Sequence, residues 1–158
     1  MASRIRGKLL LHSMPGRYER LESVWAQVRN EAVHAIVCLA EKDELHEKSS
    51  EYAHALAADT VPCPVIVFEV PDRGAPEDRE GFWTLANDIA NRLQSGEVIL
   101  IHCAGGVGRT ALLAVSVLLA LGEPVSNARS AVSRAGSTVE TAPQSQLILW
   151  CAAKARTS

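Results

Sequence analysis

Residues 97–121 set three kinds of chain back to back. An apolar run from Glu97 to His102 leads into a loop with glycines at 105, 106 and 108, and a nearly unbroken apolar stretch follows from about Arg109 to Leu121. A short apolar run ended by a turn reads as a buried strand, and the longer one behind it as a helix of the core. A strand that passes through a tight loop into a buried helix is the unit of an α/β domain, in which helices cover both faces of a mainly parallel sheet. The stretch from Ala111 to Leu121 is broken by Ser116 and falls short of the ~18–20 residues that cross a bilayer, so a core position suits it better.

The remaining chain alternates in the same way. Lys8 to His12 is a strand closed by Met14-Pro15-Gly16, and Leu21, Val24, Trp25 and Val28 recur at helical spacing. Val33 to Leu39 and Pro64 to Val70 are strands, with a short helix from Ser49 to Ala57 between them. Phe82, Leu85, Ala86, Ile89 and Leu93 mark one face of a further helix, and helices from about Pro124 to Ala135 and Ala142 to Ala153 complete the chain. The expected architecture is a central, mainly parallel, twisted sheet of four to five strands flanked by helices. With no repeat, low-complexity tract or linker, residues 1–158 read as one domain, a length within the usual ~100–200 residues.

Charge narrows the partners. Sixteen Lys and Arg against eighteen Asp and Glu leave a formal net charge of -2, with no block of like charges, which argues against a nucleic-acid or membrane-surface binder. The apolar run Leu9 to Leu11 is too short for the ~7–15 residue core of a secretory signal. A cytoplasmic, monomeric protein is expected. The four cysteines at 38, 63, 103 and 151 are widely spaced with no Cys-x-x-Cys pair, which argues for free thiols and against a zinc site.

Cys103 needs its own explanation. The segment Cys103-Ala104-Gly105-Gly106-Val107-Gly108-Arg109-Thr110 lets successive backbone N–H groups point inward, and the helix behind adds its positive end, so the loop suits an anion such as phosphate. The same donors favour the thiolate of a cysteine at its base, making it a nucleophile. The planar guanidinium of Arg109 matches two phosphate oxygens, and the Thr110 hydroxyl is placed to donate to the Cys103 sulfur. A glycine-rich turn around a buried structural cysteine is the plainer alternative. His102 precedes the nucleophile on a strand, so its side chain points away, which suits a scaffold rather than an acid–base group. Asp72, in Pro71-Asp72-Arg73-Gly74-Ala75-Pro76 after a strand, is the candidate proton donor to a leaving group, although a turn-forming aspartate would look the same.

The Cys103-x5-Arg109-Thr110 loop preceded by His102, with Pro71-Asp72-x-Gly74-x-Pro76 upstream, resembles the cysteine-dependent protein tyrosine phosphatase superfamily, in particular its compact archaeal and bacterial tyrosine and dual-specificity members. The likeness runs from Met14-Pro15 through Leu39-Ala40-Glu41 to Thr138-Val139-Glu140-Thr141-Ala142-Pro143-Gln144. It implies a phosphotyrosine phosphatase-like fold and a two-step reaction without metal or cofactor. Cys103 attacks phosphorus, Asp72 protonates the leaving oxygen, and a cysteinyl-phosphate forms. Asp72 then takes a proton from water that Gln144, by its match to a family glutamine, would position. Thr141-x-x-Gln144 is also a capping-box pattern, and Glu140 stands where larger relatives carry another glutamine. Glu41 matches an acid that pairs with the loop arginine in some relatives; it also reads as a solvated surface carboxylate.

The implied substrate is a phosphoprotein or phosphopeptide, with phosphotyrosine preferred and dual specificity open. Ala104 to Gly108 bring no lysine, which disfavours polyphosphorylated lipids and inositols. A small phosphorylated metabolite as substrate, or a phosphopeptide-binding pseudophosphatase, are the alternatives. Low-molecular-weight tyrosine phosphatases carry their loop near the N-terminus and rhodanese-like sulfurtransferases a shorter one. Ala111 replaces a glycine common after the loop and is compatible with a helix. Cys38 or Cys63 as a resolving thiol for Cys103 is a further possibility, against a simple structural role.

Overall fold

In the computed structural model, residues 5–105 and 107–157 are described. The chain alternates strand and helix as β1 (Lys8–His12), α1 (Leu21–Asn30), β2 (Ala35–Cys38), α2 (Lys42–Lys48), α3 (Ser50–Ala58), β3 (Val65–Val67), α4 (Arg79–Gln94), β4 (Val98–His102), α5 (Gly108–Ala120), α6 (Val125–Arg134) and α7 (Ala142–Arg156). The four strands form one sheet in the order β1-β4-β2-β3, and every adjacent pair is parallel. The lower bound of the expected strand number is the observed one. β3 is shorter than the run Pro64 to Val70: its regular register with β2 ends at Val67, and the chain beyond stays tied to β2 and the residue after it through the Phe68 amide to Cys38 O and the Val70 amide to Leu39 O, both at 3.0 Å.

Side chains alternate across the sheet, and this decides what each strand residue touches. Ala35, Val37, Leu39, Ile99 and Ile101 pack beneath α4, α5, α6 and α7. Ile36, Cys38 and Leu100 point the other way, onto α1, α2 and α3. Helix α5 lies centrally in the larger layer, with every residue from Gly108 to Val117 buried. It ends where Gly122, at φ +97°, takes the left-handed conformation that closes a helix without a Cβ penalty. Truncating a fully buried residue such as Leu113 to Ala would cost about 2–5 kcal/mol.

Helix α2 has no counterpart among the elements expected from the sequence. Its sequence, Lys-Asp-Glu-Leu-His-Glu-Lys, buries only Leu45, so it carries no apolar periodicity that would announce a helix. Its start is fixed instead by the Glu41 amide donating to Glu44 Oε1 at 3.1 Å, half of a capping box.

The loops converge at the carboxyl ends of β4 and β2. The Met14 amide donates to Ala104 O (3.1 Å), the Leu39 amide to His102 O (3.0 Å) and the Val70 amide to Leu39 O (3.0 Å). These bonds bring the β1–α1 loop and the Asp72 loop beside the turn that follows β4, the edge where open parallel sheets bind ligands.

Candidate active site

β4 delivers His102 and Cys103 to opposite faces. Cys103 packs with the α4–α7 layer and is nearly buried. Thr110, on the first turn of α5, donates its hydroxyl to Cys103 Sγ at 3.1 Å. His102 is fully buried on the other face. Its Nδ1 lies 2.9 Å from Cys103 O, an acceptor only, so Nδ1 carries the proton and Nε2 accepts from Tyr52 Oη at 2.8 Å. Burial holds the imidazole down to about 4, opposed by the bond to the Cys103 carbonyl and aided to a lesser degree by the charges of His12 and Arg109. His102 is therefore a neutral strut between the Cys103 carbonyl and α3. Tyr52, whose phenol burial pushes far above its ordinary range, is a member of this assembly that sequence reasoning missed. A lone tyrosine on a short helix gave no signal for it.

Arg109 follows Gly108 at the start of α5 and is 2% exposed. Its Nη1 donates to Glu44 Oε1 (2.7 Å) and Val70 O (2.9 Å), and its Nη2 to Glu44 Oε2 (2.7 Å). Nη2 also stands 3.4 Å from Asp72 Oδ1. Burial works against the guanidinium charge, but the Glu44 hydrogen bonds and the charges of Cys103, Glu44 and Asp72 outweigh it and raise its proton affinity further. For Glu44, burial raises the carboxyl, while the Arg109 bond, the Glu41 amide and the charges of Arg109 and Lys48 bring the net value below the ordinary range.

The acid that pairs with the loop arginine is therefore Glu44, not Glu41. Glu41 precedes α2 and is exposed, and one helical turn later Glu44 is carried back over Arg109. Glu41 fits its other reading, a solvated surface carboxylate, and without α2 in view nothing in the sequence singles out Glu44.

Asp72 sits in a turn in which the Gly74 amide donates to Pro71 O (2.9 Å) and Arg73 is left-handed at φ +60°. Its side chain is 60% exposed. Gln144 is fully buried, with Oε1 accepting from the Glu140 amide (3.0 Å) and Nε2 donating to Gly74 O (3.1 Å). It braces the Asp72 loop against the segment before α7, with both ends of its amide engaged by backbone groups. The capping-box alternative also differs from what forms: Gln144 takes the amide of Glu140, one residue before the cap, and Thr141 Oγ1 is buried without a hydrogen-bond partner among the described residues. Glu140 itself lies against the cradle, where a Cβ on Gly108 would meet its Oε1 and stand 3.1 Å from its Cδ. Of the expected cradle, Ala104 is buried, Gly105 and Val107 are exposed, and Gly106 lies outside the described residues.

Cys38 faces the α1–α3 layer, away from Cys103, and burial pushes its thiol up to about 11. Among the described residues no group of three or more His, Cys, Asp or Glu could hold a metal ion. No helix there is long and apolar enough to cross a membrane.

The family model described as "Polymorphic toxin system, DSP-PTPase phosphatase" matches residues 12–123, which include the Asp72 loop, Glu44 and the whole cradle. The chain belongs to this phosphatase family. It is thereby a member of the cysteine-dependent tyrosine and dual-specificity phosphatase superfamily. Among curated relatives it is 39% identical over 57 residues to cyclin-dependent kinase inhibitor 3 of Rattus norvegicus, covering 36% of this chain and 26% of that protein. It is 30% identical over 92 residues to putative tyrosine phosphatase 067L of Invertebrate iridescent virus 3, covering 56% of this chain and 36% of that protein. The chain thus spans only about a quarter to a third of these relatives' length. The crystal structure of Tk-PTP in the active form superposes with a TM-score of 0.75 at 26% identity, over 97% of both chains. The phosphatase fold implied by the sequence is the one this family member has.

Proposed function

We propose that this family member is a protein phosphatase that hydrolyses phosphate monoesters through Cys103, with phosphotyrosine as preferred substrate and phosphoserine or phosphothreonine within its range. In the first step Cys103 Sγ bonds to phosphorus, the ester P–O bond breaks, and a protonated Asp72 gives its proton to the leaving oxygen. Backbone N–H groups of the loop between Cys103 and Arg109, together with the Arg109 guanidinium, hold the phosphoryl oxygens as charge builds on them. The enzyme so described is a single phosphatase domain, monomeric and cytoplasmic, and the reaction as written needs neither metal nor cofactor.

The observation that carries this reading is the meeting of three elements at one sheet edge: Thr110 donating to Cys103 Sγ from α5, Arg109 locked by Glu44, and Asp72 within 3.4 Å of Arg109. A structural cysteine in a glycine-rich turn requires none of these. The uncharged side chains of residues 104–108 fit a phosphoester that presents one phosphate, and so favour a phosphopeptide over a polyphosphorylated ligand.

The test is to incubate the protein briefly with a phosphotyrosine peptide carrying labelled phosphate, quench with acid and map the label. Label on the peptide containing Cys103 supports the reading. Free phosphate released with no labelled cysteine at any time, including in Asp72→Asn, would overturn the covalent mechanism.

A further inference from the structure

The second half-reaction needs a water opposite the Cys103 sulfur and a group to take its proton. Gln144 does not meet that need, because it is buried and its amide is engaged by Glu140 N and Gly74 O. Asp72 stands on the other side of the loop that Gln144 braces, 60% exposed and 3.4 Å from Arg109 Nη2, where the proposed first step uses it toward the ester oxygen. Among the described residues, Glu140 places a carboxylate against Gly108 at the end of the cradle. Its Cγ, Cδ and Oε1 all lie within 3.2 Å of where a Gly108 Cβ would stand, so the absence of a side chain at Gly108 is what admits the carboxylate to the first turn of α5. Its backbone is pinned by Gln144, which also holds the loop that bears Asp72.

From this arrangement we infer that Glu140 is the base of the hydrolytic step, a role distinct from that of Asp72, and that Gln144 is the positioning residue which sets both carboxylates about the same phosphorus. The inference rests on the covalent reading above. As the water oxygen bonds to phosphorus, the S–P bond breaks and its electron pair returns to Cys103 as thiolate. One water proton passes to the Glu140 carboxylate and inorganic phosphate leaves. Asp72 serves the ester oxygen in the first step, and Glu140 serves the water in the second. The division also explains why a carboxylate is placed so near a site for a dianion: its repulsion of bound phosphate is offset by a use that an amide could not fulfil, since glutamine can orient a water but not accept its proton.

The two steps separate in pre-steady-state kinetics with aryl phosphates of graded leaving-group pKa. Glu140→Gln and Glu140→Ala should keep the rate of the first-turnover burst, lower the steady rate by about 10²-fold, and accumulate labelled Cys103. The loss should be equal for every leaving group, because the cysteinyl-phosphate is common to all. Glu140→Asp should recover part of the rate. Glu140 is exposed, and an unchanged burst verifies a folded site. Asp72→Asn should instead slow the burst, more so for poor leaving groups. Unchanged steady turnover in Glu140→Gln, or a burst slowed in parallel with it, would overturn the inference while leaving the covalent reading intact. No labelled cysteine in wild type or in any variant would overturn both.

Discussion

Glu44 and Arg109 meet in a two-point pair, Oε1 to Nη1 and Oε2 to Nη2, each at 2.7 Å, with the arginine 2% and the glutamate 13% exposed. Such a fork fixes the guanidinium plane before any phosphate arrives, and removing one partner strands the other in a dry place. Glu44→Ala is expected to cost about 3 kcal/mol in urea unfolding and to raise KM for phosphopeptides more than it lowers kcat. A loss below about 0.5 kcal/mol, the scale of an exposed pair, would show that the fork does not organise the site.

The same pair gives stability a definite pH dependence. Because the folded-state carboxyl of Glu44 lies below its ordinary value of 4.5, its contribution is complete above that pH and is lost as the pH falls through the lower folded value. In Glu44→Gln this part of the acid dependence should vanish. An acid limb identical to that of wild type would remove Glu44 from the account.

His102 titrates with the opposite sense. Its imidazole is held at about 4 in the folded protein, against 6.5 ordinarily, so between those values the unfolded chain binds a proton that the folded one refuses. Stability therefore declines from pH 6.5 to pH 4 by about 3 kcal/mol and levels below that. The stability gap between wild type and His102→Asn should narrow by about that amount from pH 7 to pH 4; a constant gap would contradict it. Tyr52→Phe, which leaves the buried Nε2 without its donor, should cost about 1–3 kcal/mol at pH 7.

Much of this site was legible along the chain, for a physical reason. Cys103 to Thr110 are contiguous, the glycines among them have few other uses, and α5 behind them is apolar on all sides because it is buried on all sides. What escaped were contacts made across the fold. Glu44 reaches Arg109 from α2, a helix whose single buried residue leaves no periodic signature. Tyr52 reaches His102 from α3 over fifty positions of sequence. Gln144 read either as a water-positioning group or as part of a capping box with Thr141; its burial and its bonds to Glu140 N and Gly74 O, which decide what its amide can touch, are properties of packing. Glu41 and Glu44 differ by one helical turn, and only the presence of that turn tells them apart.

In the proposed mechanism Asp72 protonates the leaving oxygen. Asp72→Asn should lower turnover of alkyl phosphates by about 10²–10⁴ and that of an activated aryl phosphate far less. Equal losses on both would mean that Asp72 shapes the loop through Arg109 and donates no proton.

The most direct measurement is phosphate release, without added metal, from matched phosphotyrosine, phosphoserine and phosphothreonine peptides together with sugar and inositol phosphates, with Cys103→Ser as the blank. Turnover of the phosphopeptides, fastest on phosphotyrosine and absent from Cys103→Ser, is the expected result. Turnover that survives in Cys103→Ser, or that is confined to sugar or inositol phosphates, would contradict a cysteine-based protein phosphatase.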